Sequence, residues 1–173
     1  MTNPAQQSRY QVRFAWGTEG AAAIADGAHV LVWADALPGG EVDPLTVPAG
    51  CAIITGGTGS RAAVAEWILA RQVELGDRAI VAVAAAGGTG GSFAVEDFVA
   101  AGAVIDALSD LGIDFTSPEA AAAAGAFSAL RNAGSHVLTA SVAGQTLLIE
   151  QGAEALEAAR LAAGSSEFAV LRS

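Results

Sequence analysis

AIVAVAAAGGTGGSFAVEDFVAAGAVIDALSDLG, residues 79–112, decides how the rest of the chain is read. Ala79 to Ala86 is an uninterrupted apolar run of strand length. It opens into a glycine loop, Gly87-Gly88-Thr89-Gly90-Gly91, and then Ser92. Glu96 and Asp97 stand at the start of an amphipathic segment whose apolar positions are Phe98, Val99, Ala103, Ile105 and Leu108, and Gly112 stops it. A wholly apolar strand, a glycine loop and an acidic helix start place polar groups at the carboxyl end of a buried sheet. Open α/β folds keep their ligand sites there.

Upstream lies a second unit of the same kind. Cys51 to Thr55 is a short buried strand, followed by Gly56-Gly57-Thr58-Gly59-Ser60-Arg61 and a helix over 60–75. Val64, Trp67, Ile68 and Val73 share roughly one face of that helix, and Gly76-Asp77 closes it. Further upstream, residues 9–15 alternate as a half-buried strand. Gly17 to Gly20 turns into a helix reaching about Asp26, with Thr18 as N-cap and Glu19 on the positive helix start. Residues 28–34 form another strand. Residues 35–50, with Pro38, Gly39, Gly40, Pro44 and Pro48, form a connecting loop.

Downstream, Ser117 caps a helix over 117–132 with Pro118 at its first position. Residues 137–150 read as strand or helix, a helix from about Val142 being favoured. Residues 152–163 are helical, and Phe168 to Leu171 returns as a last strand. Residues 1–8 are polar and expected to fray. Strands alternating with helices predict one α/β domain over residues 1–173, a layered sandwich with a largely parallel or mixed sheet flanked by helices.

Composition narrows the partners. The chain carries 18 acids against eight arginines and no lysine, a net charge of -10, which repels nucleic acid and anionic membranes. No apolar run is long enough to span a bilayer and residues 1–15 lack a signal-peptide layout, so a cytoplasmic protein is expected. Cys51 is the only cysteine, which excludes an internal disulfide, and it reads as a core residue. His29 and His136 read as structural, and Trp16, Trp33 and Trp67 as core or interface residues. A small phosphorylated or other anionic ligand and a homo-oligomer are the partners expected.

Two motifs could carry chemistry. Thr58, Gly59, Ser60 and Arg61, with the amides from Thr55 onward, could cradle an anion, since glycines expose backbone N–H groups, the helix start is positive and Arg61 adds a fork of donors. The same residues also make a tight strand-to-helix turn capped by Ser60. Gly88, Thr89, Gly90, Gly91 and Ser92 form a second candidate anion loop. Glu96 or Asp97 could bind a divalent metal or act as acid or base, or both could complement the helix dipole.

The block Gly91-Ser92-Phe93-Ala94-Val95-Glu96-Asp97-Phe98-Val99-Ala100-Ala101-Gly102-Ala103 resembles the G-x-F-x-x-E-D-x-x-x-A-G-A signature of the 2-phosphosulfolactate phosphatase family. Residues 21–28, 61–69 and 141–152 resemble other family segments in the same order. The resemblance implies an α/β sandwich and Mg²⁺-dependent hydrolysis of a small phosphorylated acid on a route to coenzyme M. It carries Glu96 and Asp97 over as catalytic and metal-binding acids, and Gly88, Thr89 and Gly91 as loop positions. The chain departs from the family in having Ala86 where a cysteine is expected, Ala143 where a histidine is expected, and a shorter middle. A non-catalytic homologue that binds a small anion or a protein is the alternative. A nucleotide-binding protein using the paired glycine loops is a third.

Overall fold

A computed structural model describes residues 3–37, 46–88 and 92–173. The elements run β1 (Val12–Trp16), α1 (Gly17–Ile24), β2 (Val30–Ala34), β3 (Ala52–Thr55), α2 (Arg61–Leu75), β4 (Val81–Ala85), α3 (Val95–Asp110), α4 (Pro118–Leu130), α5 (Gly134–Ala140), α6 (Val142–Gln151), α7 (Ala153–Ala163) and β5 (Val170–Arg172). The sheet order is β1-β4-β2-β3-β5. The first four strands are mutually parallel, and β5 joins β3 antiparallel at the edge. The fold is α/β with a mixed, mostly parallel sheet, as expected. Among the described residues no helix is long and apolar enough to cross a membrane.

β2 and β4 are buried on both faces, which is why their sequences are continuous apolar runs. Alternate side chains divide between two layers. Leu31, Trp33, Ala82 and Ala84 pack under Ala21 and Ile24 of α1 and Ala25 just after it. Val30, Val32, Val81 and Val83 face α2, α3 and α4, where Val64, Ile68, Val104, Ile105 and Leu108 complete the main core. A smaller cluster joins Leu37 to Leu138, Leu156 and Ala159 of the C-terminal helices.

Local signals explain most boundaries. Ser117 Oγ accepts the Ala120 N–H at 3.1 Å and Pro118 opens α4. α3 ends in a Schellman turn: Ile113 N–H reaches Leu108 O at 3.0 Å and Gly112 N–H reaches Ser109 O at 3.0 Å, with Gly112 at φ +80. Three expectations are corrected. α1 begins at Gly17, so Trp16 occupies the cap position and Thr18 lies inside the helix. Ser60 makes no side-chain cap to α2; its hydroxyl turns back to accept the Gly57 N–H at 3.1 Å. Residues 134–140 form the separate helix α5. Near the start of the chain Pro4–Gln6 makes a 3-10 turn and the Gln7 amide pairs with β1, donating to Phe14 O at 2.7 Å and accepting Phe14 N–H at 3.0 Å.

Candidate functional site at the carboxyl edge of the sheet

The parallel strands end together at Trp16, Ala85, Ala34 and Thr55. The chain leaves β1 toward α1 on one face, and leaves β4 toward α3 on the other. Neighbouring strands whose connections diverge in this way leave a crevice at their carboxyl ends, and α/β proteins bind ligands in it. Glu96 and Asp97 lie in the first turn of α3, and Asp97 bonds the chain just beyond β4 and just beyond β2, at the same carboxyl edge.

Asp97 is 3 % exposed and clamps two strand ends together. Its Oδ1 accepts the Ala36 N–H at 2.8 Å, just beyond β2, and its Oδ2 accepts the Gly87 N–H at 2.9 Å, just beyond β4. Burial raises its pKa to about 7; the two amides oppose that shift, while the Asp35 and Glu96 carboxylates add to it. A carboxyl titrating near neutrality in a crevice is suited to proton transfer. Glu96 is 5 % exposed, and among the described residues no hydrogen bond or ion pair ties its carboxylate. Asp35 is the site acid that the sequence reading passed over. Its signal was an acid directly after the buried strand Val30–Ala34.

The glycine loop at 56–60 offers fewer donors than its sequence suggests. Gly56 N–H reaches Trp33 O at 3.0 Å, Gly57 N–H reaches Ser60 Oγ, and Gly59 N–H reaches Ala163 O at 3.1 Å. A side chain at Gly59 would collide with the backbone of Gly164 and Ser165, so the end of α7 covers this loop. Arg61 bonds Thr58 O at 2.6 Å and lies 5.6 Å over the Phe127 ring. In the second loop Gly88 N–H reaches Ser92 O at 2.9 Å, closing the loop on itself. The expected anion-binding residues Thr89, Gly90 and Gly91 lie outside the described residues. The Thr58–Arg61 stretch and the Glu96–Asp97 pair are thus held by different partners, and most described loop amides already have acceptors.

The other arginines are equally occupied or distant. Arg13, 3 % exposed, donates to Tyr10 O, Ile24 O and Asp26 O, and burial lowers its pKa. Arg172 donates to Val47, Pro48 and Cys51 carbonyls. Arg71 pairs with Glu74, Arg160 with Glu157, and Arg131 bonds Ser128. Arg9 and Arg78 precede β1 and β4, at the amino edge opposite the site. No arginine is among the charges that act on Asp97.

Beside the acids lies an aromatic wall. Trp16 packs on Phe14, Phe93 and Phe98 at centroid distances of 5.5, 5.3 and 5.4 Å. Phe14, Trp16 and Phe98 border a cleft of about 430 Å³ along the outer side of β1, between α1 and α4.

Among the described residues no three Asp, Glu, His or Cys side chains are grouped as a metal cage. Mg²⁺ needs no such cage, since it commonly takes one or two carboxylates and completes its shell with water and substrate phosphate. Glu96 fits that donor role. Asp97, with an amide on each oxygen, fits it poorly. No protein-family model matches this sequence, and no curated protein matches it either.

Proposed function

We propose that this protein is a Mg²⁺-dependent phosphatase-like hydrolase acting on a small phosphate monoester, similar in type to the 2-phosphosulfolactate phosphatases its α3 block resembles. One observation carries the reading. Glu96, 5 % exposed and with no hydrogen bond or ion pair among the described residues, stands beside an Asp97 that titrates near neutrality, at the carboxyl edge of a parallel sheet. Bound Mg²⁺ would supply charge neutralisation on the phosphate and lower the pKa of a bound water. Glu96 would hold the ion and accept the proton of the attacking water. Asp97 holds the chain just beyond β2 and β4 together and would give its proton to the departing alkoxide.

The test is release of inorganic phosphate from a generic phosphate ester in the presence of Mg²⁺. Glu96→Gln is expected to lower kcat by about 10²–10⁴, the range for a lost acid–base group. Unchanged turnover in both Glu96→Gln and Asp97→Asn would remove these residues from the mechanism. A second reading, a non-catalytic homologue that binds a small anion or a protein, is favoured by the occupied amides of Gly56, Gly57 and Gly59. Calorimetry with no Mg²⁺ binding, together with no phosphate release from a panel of esters, would select it.

A further inference from the structure

We propose that the cleft beside β1 receives the alcohol half of the substrate, and that this half is a small uncharged ring and not an acid. The proposal rests on the hydrolase reading and names its substrate class.

The cleft lies against α3, the helix that carries the acids, through Phe98, although neither acid lines it. Phe98 follows Asp97 on α3, and its ring stacks on Trp16. A side chain at Gly87 would sit 3.7 Å from the Trp16 ring, and the Gly87 N–H is the donor to Asp97 Oδ2. Trp16 therefore packs against Gly87, the residue whose amide bonds the Asp97 carboxylate.

Its lining is apolar. Phe14, Trp16 and Phe98 form the wall, and alanine methyls with Gly20 form the rest, with Gln7 and Glu119 as the polar members. The Gln7 amide is engaged on the Phe14 backbone, and Glu119 is acidic. No arginine lines the cleft, and none acts on Asp97. A sulfonate or carboxylate on the alcohol half would therefore meet Glu119 and aromatic faces, and no cation among the described residues. An uncharged ring would meet three aromatic rings at stacking or edge distance. The volume suits a molecule of that size.

The edge of β1 argues against an extended peptide as occupant. Phe14 has both backbone groups satisfied by Gln7, and Val12 is bonded to Phe115 and Ser117. A strand would find no free ladder there.

The experiment joins binding and turnover. Calorimetry with 1-naphthol measures the cleft without chemistry, in wild type and in Ala122→Phe, which fills the cleft from an exposed helical position. Saturable binding is expected, weakened about tenfold or more in Ala122→Phe with little change in Tm. With Mg²⁺, 1-naphthyl phosphate should then be hydrolysed with a kcat/KM about tenfold or more above that of 2-phospholactate. Absence of saturable naphthol binding, equal binding in Ala122→Phe, or preference for 2-phospholactate overturns the proposal. Naphthol binding that Ala122→Phe abolishes, with no ester hydrolysed at all, leaves the cleft as a ring-binding site and sinks the hydrolase reading instead.

Discussion

Asp97 carries a stability cost that depends on pH. Its native pKa of about 7 lies above its ordinary value of 3.8. Between those values the folded chain holds more proton than the unfolded chain, so stability falls as pH rises, by up to about 1.4 kcal/mol per unit. An asparagine at this place has one acceptor oxygen for two backbone amides, and its NH₂ would face the other donor. Asp97→Asn should therefore be less stable than wild type at pH 5, and the gap should narrow toward pH 7 as the wild type alone pays the ionisation cost. Urea unfolding of both proteins at pH 5, 6 and 7 checks this; parallel pH dependences would show that Asp97 ionises freely. Individual site residues were only partly legible in the sequence. The Glu96-Asp97 pair announced itself by its place after a glycine loop. Asp35 did not, because an acid after a strand is common in loops and only folding shows that it faces Asp97. The Gly59 amide looked available because its acceptor, Ala163 O, lies over a hundred residues away in the chain.

Elements were more legible than residues, because each was marked by its own neighbours. The apolar runs at β2 and β4, the Ser117-Pro118 start and the Gly112 stop all act within a few positions. The short helix α5 was missed because Gly134 and Ser135 resemble loop residues; its place is set by packing of Leu138 against Leu37 and Leu156. The contact between α3 and α4 gives a prediction at this scale. At Gly102 a methyl would collide with the Ala123 backbone carbonyl and come within 3.1 Å of Phe127 Cβ. Alanine is the better helix former by about 0.5–1 kcal/mol, but overpacking two helices costs about 1–3 kcal/mol or more. The collision wins, and Gly102→Ala is expected to destabilise by about 2 kcal/mol. Gly125 on α4 has nothing within 4 Å of a built methyl, so Gly125→Ala should instead stabilise by about 0.5–1 kcal/mol. Denaturant midpoints of the two variants should move in opposite directions. Movement in the same direction would mean that the two helices adjust freely.

At the scale of the molecule, the last residues close the far edge of the sheet over the segment before β3. β5 pairs antiparallel with β3, and the Arg172 guanidinium reaches Cys51 O at 2.7 Å and Pro48 O at 2.6 Å. Cys51 beneath this clasp is 1 % exposed, and burial pushes its thiol up to about 11, although Arg172 and a backbone bond from Leu31 pull the other way. At pH 8 only about one native molecule in a thousand would carry the thiolate, and that thiolate is covered. Labelling by a disulfide reagent must therefore wait for an opening of the chain. If the clasp governs that opening, Arg172→Ala should raise the labelling rate about tenfold or more while the sheet and its main core stay folded, because β5 is an edge strand outside that core. Arg172→Lys should recover only part of the protection, since one ammonium cannot fork across three carbonyls. Labelling as slow in Arg172→Ala as in wild type would show that Cys51 is guarded by the core alone, with the carboxyl-terminal strand contributing nothing.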